Sequence, residues 1–380
     1  MRVLVAPAAF KGSLRPREAA EAIARGFRRA SPRFRIALCP LADGGDGTLE
    51  VLLSARGGRL RTAAVEDPLG RPVEAEWGLL DGTAVIEMAR AAGLVLLAPE
   101  ERDPLKASTY GVGQLVLAAL NEGVREIWLG LGGSATVDGG AGFLQALGVR
   151  LLDARGRPIP KGGAGLAKLA ALDLSSADPR VKRTRIVALC DVRSPLLGPR
   201  GARLYMPQKG ATPEQCEALE RNLAHFAEVA LRDAGIDVRE IPGAGAAGGL
   251  GAALALLGAE LVSGSEFIAE ELGLEGRVRE CDLVVGGEGQ IDPQTLEGKG
   301  ILQLARLAKA HRKPLVVLCG SRSGGLSSLH RVGITAVFSI VPGPADLEDA
   351  LRRGAENATE TAYQLGALLA ALHPQGGPEP

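Results

Sequence analysis

Apolar residues along this chain fall into two rhythms, and the alternation between them predicts its elements. Val3–Ala6 is a compact apolar run stopped by Pro7, the pattern of a buried strand. From Arg15 to Arg29 the apolar positions Ala19, Ala22, Ile23 and Phe27 recur at helical spacing, with Ser13 ahead and Pro16 in the first turn. Arg35–Cys39 predicts a second strand, LADGGDGT (41–48) a turn, and Thr48–Ala55 a helix. Strand, helix, strand, helix in this order predicts a parallel sheet flanked by helices. After residue 60 the rhythm changes. Leu60–Glu66, Pro72–Leu79 and Thr83–Met88 are strand-like and are joined by PLGRP and LDG, both turn signals, which predicts an antiparallel or mixed sheet. A helix over 108–122, strands at 126–131 and 185–191, a helix-like run from Phe143 to Val149 and a long amphipathic helix at 213–234 follow. The first rhythm then returns, with strands at Asp282–Gly286, Pro314–Cys319 and Ala336–Val341 and helices at Gly300–Ala310 and Ala350–Leu372.

The two regions of βα rhythm can share one sheet if the middle is an insertion. The expected architecture is therefore α/β, with a discontinuous parallel-sheet domain (1–64 and 255–380) and an inserted second α/β domain with a mixed sheet (65–254). A length of 380 residues suits two cores rather than one. No repeat recurs at a fixed period, which excludes solenoids and propellers.

Charge and cysteine usage narrow the function classes. The chain carries 44 basic and 44 acidic residues, so no overall field recruits nucleic acid or an anionic membrane, and neither is an expected partner. Cys39, Cys190, Cys216, Cys281 and Cys319 are dispersed without a C-x-x-C pair and read as reduced and mostly buried. The four histidines lack metal-ligand spacing. MRVLVAPAAF reads as a strand start rather than a signal peptide, and no transmembrane run is found. A cytoplasmic enzyme acting on small molecules is expected; whether it forms a homo-oligomer stays open.

Chemistry is concentrated in glycine-rich turns. GLGGSATVDGGAG (130–142) joins an apolar run to a helix-like run and carries Ser134, Thr136 and Asp138. Glycines let a ligand approach the backbone, and a following helix aims its first N–H groups at an anion, so Gly132, Gly133 and the polar residues of this turn are candidates for holding phosphate. The plainer alternative is a tight strand-to-helix connection with a capping residue. VLVAPAAFKGSL (3–14) puts Lys11, Gly12 and Ser13 before a helix, within reach of a phosphate or carboxylate unless Lys11 is simply solvated and Ser13 a cap. LADGGDGT sets Asp43 and Asp46 around Gly44 and Gly45, hard-oxygen groups suited to Mg²⁺ or to a substrate hydroxyl. CDVRSPLLGPRGA (190–202) places Asp191 at the end of an apolar strand, where ligands bind in open α/β sheets. MPQKGAT (206–212) adds Lys209 beside a glycine. PGAGAAGGLGA (242–252) contains a G-x-G-x-x-G at Gly243, Gly245 and Gly248, but Pro242 interrupts the strand that should lead into a dinucleotide site. GGEGQIDPQTLEGKG (286–300) reads as a loop after a buried strand and carries Glu288, Asp292, Thr295 and Lys299.

Taken in order, these segments resemble the glycerate kinase type-1 family nearly end to end: APAAFKGSL, LADGGDGT, GLGGSATVDGGAG, CDVRSPLLGPRGA, PQKGAT, PGAGAAGGLGA and GEGQIDPQT. The resemblance implies a Rossmann-like domain interrupted by a second α/β domain. It also implies ATP-dependent phosphorylation of D-glycerate, usually to 2-phosphoglycerate in bacterial members, with 3-phosphoglycerate also assigned. The family often opens APDSFKGS, where this chain has Ala8 and Ala9, so an acidic role in that turn is unavailable. Val137 stands where the family often has Asn, and Pro293 and Gly300 also differ from common family residues.

The expected chemistry is in-line transfer of the γ-phosphoryl group of ATP to a glycerate hydroxyl, in a cleft between the domains that closes over substrate. Asp43 or Asp191 would accept the hydroxyl proton, Lys11 or an arginine would hold the substrate carboxylate, and Asp191 or Asp292 would hold Mg²⁺. Backbone N–H groups of 132–134 and of 245–249, including Gly245, Gly248 and Gly249, would cradle phosphates. Ser13, Gly44, Lys209, Glu288 and Thr295 complete the expected ligand shell. A Walker A lysine motif is absent. An NAD-dependent oxidoreductase acting on a small hydroxy acid, and a non-catalytic ligand-binding protein, are the alternatives from other classes.

Overall fold

The computed structural model describes residues 1–291, 300–323 and 327–372. Its strands are β1 (Arg2–Pro7), β2 (Arg35–Leu38), β3 (Arg59–Glu66), β4 (Pro72–Leu80), β5 (Thr83–Glu87), β6 (Glu126–Gly130), β7 (Arg150–Leu152), β8 (Ala171–Asp173), β9 (Arg185–Leu189), β10 (Glu260–Val262), β11 (Leu283–Ile291), β12 (Leu315–Arg322) and β13 (Ala336–Ser339). The chain divides into two compact units, one of residues 1–42, 50–55 and 265–380, the other of residues 43–49 and 56–264.

The first unit is built on a sheet ordered β13-β12-β11-β1-β2, with every neighbouring pair parallel. Strands buried on both faces need continuous apolar runs. Val3, Leu4, Val5, Val284, Val285, Val317 and Leu318 provide them and are almost fully buried. The helix Pro16–Ala30 turns Ile23 and Phe27 into this core. On its other flank the Thr359 hydroxyl of the helix Gly354–Leu372 donates to Ala22 O at 3.0 Å, and the Arg29 guanidinium lies 4.1 Å from the Tyr363 ring centroid.

Two elements here differ from the sequence expectation. β11 does not stop at Gly286 but runs on to Ile291, because β12 supplies register partners as far as Gln290↔Ser321 and Ile291↔Arg322. The first six residues of the supposed loop, 286–291, are therefore strand, and Glu288 is a strand residue opposite Cys319. The long C-terminal helix is broken into Leu347–Arg352 and Gly354–Leu372. The first piece is capped by Asp346, whose carboxylate accepts from Asp349 N–H.

The second unit carries a mixed sheet ordered β10-β9-β6-β5-β4-β3. β3, β4 and β5 are antiparallel neighbours, whereas β5, β6, β9 and β10 run parallel. A small hairpin of β7 and β8 stands apart from this sheet. The helix predicted to reach Val149 ends at Ala146, and the chain turns at once into β7. The long helix Pro213–Ala234 begins on a capping box of Thr212 and Gln215 and ends on Gly235 in the left-handed conformation. It buries Leu219, Leu223 and Phe226, side chains worth about 1.5–3 kcal/mol each. The four parallel strands finish level with one another at Glu87, Gly130, Leu189 and Val262. That shared edge is where this unit gathers its polar turns.

All five cysteines are free, and all but Cys190 are buried. No helix among the described residues is long and apolar enough to cross a membrane.

Candidate active site at the strand ends of the second unit

Three turns of the second unit meet at the carboxyl ends of its parallel strands. The segment 43–49 is fixed from both sides. Gly132 N–H donates to Gly44 O at 3.2 Å, and the buried Glu87 at the end of β5 accepts from Leu49 N–H at 2.9 Å through Oε1. The other Glu87 oxygen pairs with Arg90 at 2.9 Å. Asp43 stands exposed in this segment, its Oδ1 accepting from Gly45 N–H at 3.0 Å, while Gly44 itself is buried. Beyond β9, Asp191 is half-buried and its Oδ1 accepts from the Ser263 hydroxyl at 2.8 Å, just past β10. Burial pushes the Cys190 thiol up to about 12, and the charges of Asp191 and Asp43 push the same way. Both carboxylates therefore bear on one strand end.

The turn after β6 is the chemically distinctive part. Gly133 is exposed and holds φ +73°, a left-handed conformation natural only to glycine. Gly132 N–H is already spent on Gly44. The N–H groups of Gly133 and Ser134 and the Ser134 hydroxyl hydrogen are donated to no acceptor among the described residues. Successive unspent donors around a left-handed glycine form an anion-binding concavity. Beneath them lies Lys209, only 3 % exposed, donating to Ser134 Oγ at 2.7 Å and to Thr136 O at 2.8 Å. Burial pulls the Lys209 ammonium down to about 7, opposed by the charge of Asp138.

Several expected ligand contacts are corrected by this packing. Lys209 is not on the open surface, so its reach ends at the turn it supports. Asp138 is wholly buried, and its oxygens accept from Thr109 N–H at 2.8 Å, Thr109 Oγ1 at 2.9 Å, Gly140 N–H at 3.0 Å and Gly142 N–H at 3.2 Å. That is a capping role at the start of the helix Ala141–Ala146 rather than a phosphate contact. Burial raises the Asp138 carboxyl above its ordinary value, against the pull of these hydrogen bonds. Thr136 is also wholly buried, with its Oγ1 unpaired. Gly245, Gly248 and Gly249 are buried too. No strand leads into them, and a Cβ on Gly248 would lie 2.0 Å from Thr136 O. This glycine run backs the β6 turn instead of cradling a phosphate, which removes the basis of the dinucleotide alternative.

In the first unit, Lys11 is exposed after β1, whereas Ser13 is spent, its hydroxyl donating to Leu351 O at 2.6 Å. Asp292 and Thr295 lie outside the described residues. Among the described residues no three acidic, histidine or cysteine side chains come together as a metal site. Glu87, Thr109 and Ser263 are organising residues that sequence reasoning missed. Only Glu87 carried a signal, an acid closing the apolar run TAVIE as Asp191 closes its own.

Fold and turns together define an α/β protein whose polar loops stand at the carboxyl ends of parallel strands, the arrangement that places small-molecule sites in open sheets. The family model of the glycerate kinase family matches residues 3–370. Glycerate 2-kinase of Escherichia coli K12 is 45 % identical over 374 residues, covering 97 % of this chain and 98 % of the relative. Glycerate kinase of Bacillus subtilis 168 is 45 % identical over 373 residues, with the same coverage of 97 % and 98 %. A crystal structure assigned to glycerate kinase 2 of Salmonella typhimurium LT2 superposes with a TM-score of 0.85 at 44 % identity, covering 98 % of this chain and 99 % of that one. The chain belongs to the glycerate kinase family and is an enzyme, a kinase, which sets aside the non-catalytic alternative.

Proposed function

We propose that this enzyme transfers the γ-phosphoryl group of ATP to a hydroxyl of D-glycerate, giving 2-phosphoglycerate and ADP. The observation that carries the reading is the group of unspent donors on Gly133 and Ser134, set above a buried lysine and beside two strand-end carboxylates. Phosphoryl transfer needs positioning and charge neutralisation more than covalent help, and this site offers both. A glycerate hydroxyl oxygen forms the new bond to the γ-phosphorus, the bond from that phosphorus to the β-phosphate oxygen breaks, and Asp43 or Asp191 takes the hydroxyl proton. The name of the E. coli relative supports transfer to the 2-hydroxyl.

Asp43, Asp191 and the Ser263 hydroxyl are hard-oxygen groups of the kind that suits Mg²⁺, which is commonly held by one or two carboxylates plus substrate phosphates. When bound there, the ion would neutralise phosphate charge. Lys11 is the proposed partner of the substrate carboxylate, and the proposed setting is cytoplasmic. ADP release coupled to D-glycerate, followed by phosphorus NMR of the product, tests the reading. No release at saturating Mg-ATP sinks it, and a resonance of 3-phosphoglycerate moves the acceptor to the other hydroxyl.

A further inference from the structure

Lys209 is a costly residue to bury. Its ammonium is enclosed, takes part in no salt bridge among the described residues, and is held only by Ser134 Oγ and Thr136 O. A buried cation without a paired anion is strongly disfavoured unless something later brings negative charge to it. The charged groups around it do not remove that cost. Asp138, whose field reaches it, is committed to Thr109 and the helix start. Arg203 on the preceding turn pairs with Glu220 at 2.5 Å. Arg102 meets the following residue, Gly210, through its own backbone carbonyl.

The geometry at Ser134 is directional. Because Lys209 Nζ donates to Ser134 Oγ, the hydroxyl hydrogen is directed away from the lysine and, like the Gly133 and Ser134 amides, is donated to no acceptor among the described residues. We propose that Lys209 is a positioning residue of the phosphate turn: it orients the Ser134 hydroxyl as a donor to an arriving phosphoryl oxygen and holds beneath the turn the positive charge that this oxygen requires. The inference rests on the nucleotide reading above and deepens it. An ammonium that burial has brought down to about 7 is largely uncharged at pH 8, and an anion docking over it favours the charged form. Nucleotide binding at that pH therefore takes up a proton.

Titration calorimetry of the full chain with Mg-ATP at pH 8, where the ligand itself is deprotonated, in two buffers of different ionisation enthalpy reads this proton directly. The wild type is expected to take up about half a proton or more. K209M, which lacks the charge, and K209R, which keeps it permanently, are expected to take up none, and K209M to bind at least about tenfold more weakly. A lysine serving packing alone would leave proton uptake at zero in the wild type. Binding without proton uptake by the wild type, or undiminished uptake by K209M, overturns the role of Lys209 while leaving the nucleotide reading intact. If the wild type binds no Mg-ATP, the nucleotide reading falls and this inference falls with it. Should K209M not fold, the wild-type measurement still decides, supported by an Mg-ATP affinity that declines from pH 7 to 9.

Discussion

Two glycine-rich stretches of the second unit, 130–142 and 242–251, read almost alike as sequence and end in similar short helices. In the first, the chain leaves a parallel strand, so its turn emerges at the sheet's edge with Gly133 exposed and its amide unspent. In the second, no strand leads in. Gly243 and Gly245 both donate to Ser194 O, at 3.2 and 3.0 Å, and Gly248 O accepts from Gly139 N–H at 3.0 Å. One stretch keeps unspent donors, and the other spends its own on Ser194 and braces the first by accepting from Gly139. A glycine pattern tells how closely a backbone can be approached, and the preceding element decides what approaches it.

The comparison can be broken most sharply at its acidic edge. D191N and D43N are each expected to fold, and at least one should lower kcat by about 10²-fold or more. Wild-type turnover in both would remove the strand-end carboxylates from the reaction. The bracing role of the second stretch is tested by G248A. The new Cβ would meet the main-chain oxygen of Thr136 at 2.0 Å with φ at +66°, so denaturant melts should show a loss of about 2–3 kcal/mol. A Tm unchanged from wild type would refute that role. S134A removes one donor from the first stretch and, with it, one of the two acceptors of the buried Lys209. It is expected to cost about tenfold in kcat/KM for ATP and about 1–3 kcal/mol in stability, read by steady-state kinetics beside denaturant melts.

A further effect lies in the pH dependence of stability. The Lys209 ammonium titrates near 7 when folded and near its ordinary value of 10.5 when unfolded. Between those values the unfolded chain binds more protons, so stability rises with pH, by at most about 1.4 kcal/mol per pH unit. K209M should lack this slope in urea melts at pH 7, 8 and 9, and should itself be more stable at pH 7. Parallel slopes in the two proteins would place the ammonium outside the buried state described above.

How far the molecule was legible in advance follows from the range of the forces involved. The strands around Val3–Val5 and Val284–Val285, the amphipathic helix at 213–234 and its capping box are local consequences of hydrophobic period and end chemistry, so they can be read from neighbouring residues. The extension of β11 to Ile291 was hidden because its hydrogen-bond partners sit on β12, about thirty residues away in sequence. At the candidate site, the turn at 132–134 could be located from its glycines and hydroxyls. That Asp138 is spent on Thr109, that Glu87 anchors Leu49 and that Ser263 reaches Asp191 depends on contacts between distant segments.

The amino-acid order by itself determined the rhythm of elements, the family resemblance and the inventory of acids, hydroxyls and glycines, because each is carried by residues close together along the chain. Only the tertiary structure decided which of those groups keep an unspent hydrogen bond. Burial and pairing are properties of what packs against a residue, and Lys209 beside a glycine looks solvated until Ser134 and Thr136 close over it.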